Sequence, residues 1–318
     1  MSLFTIIREP VPDIRTTDGL TLDHPDRSYP LAHPVRHSAW LRGVVFVAVF
    51  LVMILVGLSV VFAIYGSVTL TSPVPSALTR LVAALAAYVV LAMVMEGRVW
   101  PLELQPRRWL GLLKGMLVAA IILGASLGII ALLGSYRVTG VNPHYNVWTD
   151  LITLGVVAAV SEEILLRAGL FRLAEEGLGT WGAAVVSALI FGALHLTNQY
   201  GTWWGALAIA LEAGLLLAGV YALTRSLWWC VGLHFAWNML EGPLFGSIVS
   251  GGSAPNSWLV SSWTNSDLVT GGMFGMEGSV VVVTLCGLIG IALLVYAQRR
   301  GLMVAPLWVR KARSAAGE

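Results

Sequence analysis

Six side chains that could do chemistry interrupt the apolar runs between residues 151 and 248. They are Glu162, Glu163, Arg167, His195, His234 and Asn238. A charged group at the centre of a bilayer costs about 2.5–3.5 kcal/mol on insertion scales, so such residues need partners or a function. Carboxylates, imidazoles and an amide can together hydrolyse an amide bond, because they can activate water and stabilise the oxyanion that forms.

Helical spacing sorts these side chains onto faces. Glu163 and Arg167 are four residues apart, so they share a helix face and can pair. Glu162 is turned about 100° from Glu163 and faces elsewhere. His234 and Asn238 are also four apart and point the same way. Pairing with the arginine would therefore neutralise one carboxylate and leave the other free.

Four of the six side chains lie at depths along their predicted helices that allow them to converge inside the bundle. These four are Glu162, His195, His234 and Asn238. Glu162, helped by His195, would take a proton from water, and His234 and Asn238 would donate hydrogen bonds to the oxyanion. Taken singly, each group also has a structural interpretation, as an ion pair, a packing histidine or an interhelical hydrogen bond. Their joint occurrence favours a catalytic site. Glu212 has no partner at helical spacing and could line a cavity or carry a proton.

The composition places these residues in a membrane. Hydrophobic residues make up 57% of the chain and charged residues 11%, whereas soluble domains carry about 25% charged residues. The net charge of +2 gives no indication of a nucleic-acid partner. We predict an all-α, polytopic membrane protein with about eight transmembrane helices, because backbone groups in lipid must be satisfied within each segment. The predicted spans are 44–65, 77–95, 110–133, 151–171, 182–199, 204–223, 228–248 and 279–297.

The distribution of Lys and Arg predicts that both termini are cytoplasmic. Sixteen of the 19 basic residues fall on the tails and loops of one side, and the loops of the other side carry only Arg137. By the positive-inside rule, the polar tail 1–43 and the basic tail 298–318 face the cytoplasm. The loop 249–278, which has no Lys or Arg, is then extracytoplasmic and could be a lid or a linker. We expect the protein in the cytoplasmic (plasma) membrane.

The order of three motifs resembles the CPBP family, which comprises the CAAX proteases and the bacteriocin-processing membrane proteins once called Abi. That family is marked by EExxxR, FxxxH and HxxxN or HxxxD on successive helices. Here Glu162–Arg167 carries the first motif, Phe191–His195 the second and His234–Asn238 the third. All three are intact and in order, and the resemblance covers roughly residues 145–245.

The resemblance implies a CAAX-protease-like helical bundle with a cavity that opens toward the cytoplasm. Its catalytic core would be 145–245, preceded by transmembrane helices in 44–133 and followed by a last one at 279–297. It also implies an intramembrane endopeptidase that acts on a membrane protein or peptide, with Glu162 and His195 activating water and His234 and Asn238 holding the oxyanion. Because residue usage looks bacterial, and bacteria generally lack protein prenylation, we do not expect a prenylated tail as the substrate.

The resemblance favours a metal-independent mechanism with no required cofactor. Glu162, His195 and His234 have the ligand types of a zinc site, so zinc is the alternative. Two other functions are open from the residues alone. A non-catalytic scaffold or bacteriocin self-immunity protein would tolerate degraded motifs, whereas all three are complete here. A proton-coupled transporter would carry repeats and broken helices at matched positions, and we find no repeat.

Overall fold

The described part of the chain is mostly helical. A computed structural model describes residues 20, 23–24, 38–66, 73–253 and 256–316. Most of the predicted N-terminal tail, 1–43, lies outside the described residues, as do the last two residues of the predicted C-terminal tail. Within the described ranges, the chain forms long helices joined by short 3₁₀ turns and one small sheet.

Nine helices carry this fold in the described ranges, and four of them contain π-helical turns. They are α1 (Ala39–Tyr65), α2 (Pro73–Val89, continued by a π turn to Met95), α3 (Leu110–Leu132), α4 (148–171, where α and π turns alternate), α5 (Arg172–Leu194), α6 (Trp203–Thr224, with a π turn at Ala210–Gly214), α7 (Leu227–Met239, continued by a π turn to Leu244), α8 (Val280–Arg299) and α9 (Leu307–Ala316).

Six helical segments of the described chain are long and apolar enough to cross a membrane, so the protein is an integral membrane protein. The predicted number, about eight, is not matched. The predicted spans 151–171 and 182–199 lie in one helical run, Trp148–Thr197, which is broken at Gly179. The predicted span 228–248 is not among the six: its helix, 227–244, carries His234, Asn238 and Glu241 and is less apolar than the six.

Gly179 breaks the helical run inside α5, seven residues after α5 begins at Arg172. Its φ of 71° lies in the left-handed region, which residues with a Cβ rarely adopt. A Cβ at this position would also lie 2.8 Å from the backbone of Val304 and Pro306. The helical run therefore breaks at a residue whose backbone conformation and close contacts favour glycine, and the segment before α9 packs against this break.

A two-stranded antiparallel sheet corrects the all-α prediction in detail. Strand β1 (Tyr136–Val141) pairs with β2 (Leu259–Trp263), with a register irregularity between Val138 and Gly140. Tyr136 stacks on Trp263 with ring centres 4.6 Å apart. Each strand is short, and its partner is more than 100 residues away in sequence, so local patterning gave no signal for it. The sheet ties the loop 249–278 to the end of α3.

Close contact between α3 and α7 fixes the helix that carries the third motif. A Cβ on Gly232 would lie 2.1 Å from the carbonyl oxygen of Leu112, and one on Gly115 would lie 2.3 Å from that of Trp229. Small residues of this kind let two helix backbones touch within a membrane. His234 follows Gly232 by two residues, so its position depends on this contact.

Buried ion pairs gather at the end of the bundle where α4 meets α5. Their members come from five separate parts of the sequence: Asp23, His24, Arg42, Glu96, Arg98, Glu103, Arg172, Glu175, Glu176 and Arg225. Arg42 contacts Glu176 at 2.6 Å, and Arg172 contacts Glu96 at 2.9 Å. From the sequence these arginines were interpreted only as loop charges that set topology, but the structure shows that they are also buried partners of carboxylates.

His24 brings the N-terminal region into this ion-pair network. Its imidazole contacts Glu175 at 2.9 Å and Glu176 at 3.4 Å. Burial by itself would lower the pKa of His24, but the charge of Asp23 and the hydrogen bonds to the two glutamates raise that pKa to about 9. The imidazole is therefore cationic at neutral pH and holds this part of the N-terminal segment against α5.

Candidate active site

The first motif lies where the helix geometry changes twice. Glu162 and Glu163 end a single α-helical turn, Ala159–Glu163, between π-helical stretches at Leu151–Ala158 and Ile164–Phe171. π turns are uncommon and often mark functional sites, because the extra residue re-aims side chains and frees backbone carbonyls. The two neighbouring carboxylates consequently leave the helix in different directions.

Glu163 is the centre of a buried hydrogen-bond network. Its Oε1 accepts from Arg167 Nη1 at 3.0 Å and from His234 Nδ1 at 2.9 Å, and its side chain and that of Arg167 have no exposed surface. The predicted pairing of Glu163 with Arg167 is therefore present. Because a carboxylate only accepts, the bond to His234 places a proton on Nδ1 of the imidazole.

Glu162 is the carboxylate that the network leaves available. Its Oε2 lies 3.7 Å from His234 Nε2, and 24% of its side chain is exposed. His234 thus stands between two carboxylates, with Nδ1 held by Glu163 and Nε2 directed at Glu162. The division expected from the helix geometry, with one glutamate neutralised and one free, is what the structure shows.

Arg167 also joins the first motif to two other helices. Its Nη2 donates to the carbonyl oxygens of Ala213 and Gly214 at 3.4 and 3.3 Å, in the π turn of α6. The guanidinium lies 5.1 Å from the centre of the Phe191 ring, which belongs to the second motif. One buried cation therefore fixes how α4, α5 and α6 meet.

His195 does not join the glutamates in this structure. Its Nδ1 lies 2.8 Å from the carbonyl oxygen of Phe191, and its ring packs edge-on against the Phe191 ring at 4.9 Å. The Phe191 ring also packs edge-on against His234 at 6.0 Å, so this one ring contacts both histidines. In the part of the chain that the structure describes, no hydrogen bond joins His195 to Glu162. The structure thus gives the contact of Glu162 with His234, and the role predicted for His195 stays a prediction.

Asn238 lies one helical turn beyond His234, as predicted. Its Nδ2 donates to the carbonyl oxygen of Leu154 at 3.0 Å, in the first π stretch of α4. The side chain is buried. An amide nitrogen carries two hydrogens, so this bond fixes the side chain and leaves a second donor.

A small cavity lies against these residues. It is lined by Phe191, His234 and Asn238 from the motifs, and also by Glu212, Ser250 and Glu277. It leaves about 20 Å³ for a water-sized molecule, which is room for roughly one water.

A larger cavity of about 360 Å³, lined among others by Tyr145, Met239 and Trp258, lies at the end of α7, away from the buried ion pairs. The opening toward the cytoplasm that the resemblance implied stays a prediction.

The alternative zinc site has no three-ligand arrangement ready in the described residues. The described part of the chain contains one group of three side chains whose ligand atoms all lie within 4.8 Å of one another, namely Asp23, His24 and Glu175. That group is already part of the buried ion pairs with Arg225. Metal dependence itself stays a prediction that a chelator experiment tests.

Three further buried carboxylates flank the site. Glu241 accepts from Trp237 Nε1 at 3.1 Å, and Glu277 accepts from Ser250 Oγ at 2.6 Å. Glu212 Oε1 is buried and has no hydrogen-bond partner. Glu241 and Glu277 were not singled out from the sequence, although Glu241 is ionisable, lies inside a predicted span and follows Asn238 by three residues. That signal could have found it.

Comparison with known proteins identifies the segment that carries the motifs. Residues 144–240 match the family described as type II CAAX prenyl endopeptidase Rce1-like. The match covers under a third of the chain and contains all three motifs. A search of curated proteins gave no match. The resemblance drawn from the motifs is thereby confirmed, and residues 144–240 form an Rce1-like domain of the type II CAAX prenyl endopeptidase family, which is a family of peptidases.

Proposed function

We propose that the protein is an intramembrane endopeptidase that hydrolyses a peptide bond with water activated by Glu162. The observation that carries the proposal is the difference between the environments of the two glutamates. Glu163 is fully buried and engaged by Arg167 and His234, whereas Glu162 is partly exposed beside His234 Nε2. A carboxylate that is free, partly accessible and next to an oriented imidazole has the features of a general base.

The remaining motif residues fit the other tasks of the reaction. Asn238 is held by Leu154 and keeps one N–H to donate to an oxyanion. His234 could donate from Nε2 when it is protonated, since Glu163 already occupies Nδ1. Preorganised donors of this kind are worth about 2.7–4 kcal/mol of barrier each. His195 is assigned to water activation by its motif alone, because no hydrogen bond joins it to Glu162 in the described residues.

The substrate we propose is a membrane-associated protein or peptide. The larger cavity is lined by Met239, the residue after Asn238, and by aromatic and apolar side chains that include Tyr145, Leu244 and Trp258. Asn142, Tyr145 and Trp258 of its lining belong to loops predicted to be extracytoplasmic, so a peptide that uses this cavity would approach from that side, opposite to the cytoplasmic opening that the resemblance implies. We further propose that the protein resides in the plasma membrane with both termini cytoplasmic, on the distribution of Lys and Arg.

A peptide library with quenched fluorophores tests this function. Wild type and Glu162→Gln would be purified in detergent and compared with and without a chelator. We expect the wild type to cleave, Glu162→Gln to be inactive and the chelator to have no effect. Loss of wild-type cleavage with the chelator, and its rescue by zinc, would move the site to the metal-dependent class. Unchanged cleavage by Glu162→Gln would contradict the assignment of the base.

A further inference from the structure

Glu212 is a buried acid that the proposed roles leave unused. It belongs to the π turn Ala210–Gly214 of α6, and 1% of its surface is exposed. Its Oε1 has no hydrogen-bond partner, although it lines the same small cavity as His234 and Asn238. A buried polar atom without a partner is costly, so one at the edge of a cavity points to a ligand group that completes it.

The charge balance around the cavity indicates which form Glu212 takes. Glu212, Glu241 and Glu277 form no ion pair with any Lys or Arg in the described residues; Glu241 and Glu277 are held by neutral donors instead. Arg167, the cation of the site, is already committed to Glu163. An isolated carboxylate without a cation is strongly disfavoured in a buried setting, and such a group keeps its proton instead.

Glu212 shares the small cavity with the proposed oxyanion donors, whereas the proposed base does not. Glu162 approaches His234 Nε2 but does not line the small cavity, whereas Glu212, His234 and Asn238 do. A peptide carbonyl bound by His234 and Asn238 would therefore have the Glu162 carboxylate beside His234 Nε2 and the Glu212 carboxyl in the cavity that both donors line. A leaving nitrogen directed into that cavity would meet the Glu212 carboxyl.

We propose that Glu212 is the general acid that protonates the leaving amine, a role that rests on the proposed function. Glu162 takes a proton from water as the new C–O bond forms and the oxyanion develops. As the C–N bond breaks, its electron pair stays on nitrogen, and the Glu212 proton passes to that nitrogen. The proton on Glu162 then returns through solvent to Glu212, so that one water is consumed for each peptide bond.

The local structure holds Glu212 in place for this task. Arg167 donates to the carbonyl oxygens of Ala213 and Gly214, the two residues that follow Glu212 in the π turn. The cation that orients Glu163 therefore also orients the turn that carries Glu212. Arg167 therefore connects Glu163, the neighbour of the proposed base, to the turn that carries the proposed acid.

A pair of matched substrates tests the proposal. The peptide that wild type cleaves fastest from the quenched library would be made with its scissile amide and with an ester in the same place. Protonation of the leaving group matters for an amine and much less for an alkoxide, so Glu212→Gln should slow amide cleavage by about 10²–10⁴-fold. Ester cleavage should change by no more than about 3-fold, because base and oxyanion donors are intact.

Two control variants separate this proposal from the function on which it rests. Glu241→Gln changes a neighbouring buried carboxyl that does not line the cavity, so its ratio of amide to ester cleavage should equal that of wild type. Glu162→Gln should abolish both reactions, and its failure to do so would count against the proposed function. Equal effects of Glu212→Gln on amide and ester, or no effect on either, would overturn the role of Glu212.

Infrared difference spectroscopy gives a second test that needs no substrate. The spectrum of wild type minus Glu212→Gln, recorded at neutral pH in detergent, should show the C=O band of a protonated carboxylic acid. The bands of an ionised carboxylate in its place would overturn the proposal, because Glu212 would then have no proton to give.

Discussion

Replacing Glu163 with glutamine should be strongly destabilising, although the two side chains have nearly the same shape. The carboxylate lies 3.0 Å from Arg167 Nη1, and neither side chain is exposed. The amide that replaces the carboxylate could still accept one hydrogen bond but could not neutralise the guanidinium. Leaving one partner of a buried ion pair without its counter-charge costs about 3–5 kcal/mol.

A double variant tests whether the cost comes from the unpaired charge. Glu163→Gln combined with Arg167→Met removes both charges and should recover most of the loss, because replacing a whole buried pair with neutral groups is often close to neutral. Free energies of unfolding would be measured by circular dichroism during denaturation with sodium dodecyl sulfate in mixed micelles. The control, Asp267→Asn, removes an exposed acid and should change stability by no more than about 0.5 kcal/mol.

Two results would refute this reasoning. A loss below about 1 kcal/mol for Glu163→Gln would place the pair in the range of exposed ion pairs. A double variant no more stable than Glu163→Gln alone would show that the carboxylate does not act through Arg167. Activity provides a separate readout, since Glu163 also holds His234 Nδ1. Glu163→Gln should lower kcat even at temperatures where the variant stays folded.

Three other predictions concern the oxyanion donor, the N-terminal contact and the helix packing. Asn238→Ala should lower kcat by about 10²–10³-fold with little change in KM, measured on the best library peptide. The folded pKa of His24, about 9, is above its usual value, so its stabilisation is complete below about pH 6.5 and is lost as pH rises through 9. His24→Gln should therefore cost up to roughly 3 kcal/mol at acidic pH and little above pH 10, as read from unfolding free energies against pH. Gly232→Ala should lower the free energy of unfolding by about 1–3 kcal/mol, because its Cβ would overlap the carbonyl oxygen of Leu112. Thermal unfolding measures this loss. The control, Gly124→Ala, should show no such loss, because its Cβ would have no neighbour within 4 Å.

Local spacing was enough to predict the parts of the site that lie on one helix. The pairing of Glu163 with Arg167 and the different direction of Glu162 follow from helix geometry, and both are present. The position of His195 could not be predicted in this way. Its distance from Glu162 depends on how the Phe191 ring packs between α5 and α7, and no spacing within one helix reports that.

Long-range partners explain the remaining differences between the sequence and the structure. The strands β1 and β2 each need the other, and neither has a pattern of its own strong enough to be predicted. Arg172 and Arg225 were assigned to loops by charge, while their burial depends on carboxylates from α5 and from the segment after α2. The predicted spans 151–171 and 182–199 lie in one helical run, and its break, at Gly179, falls within the predicted connection between them.

Chemical rescue tests the role of Glu162 most directly. Because 24% of the Glu162 side chain is exposed, a small carboxylate such as formate could enter the space that Glu162→Ala leaves. We predict that this variant loses cleavage and that added formate restores it in a saturable manner, while chloride at equal ionic strength does not. Glu163→Ala, whose space is fully enclosed, should not be rescued. If Glu162→Ala cleaves the best library peptide within about tenfold of the wild-type rate without formate, Glu162 is not the base, since general bases contribute about 10²–10⁴-fold.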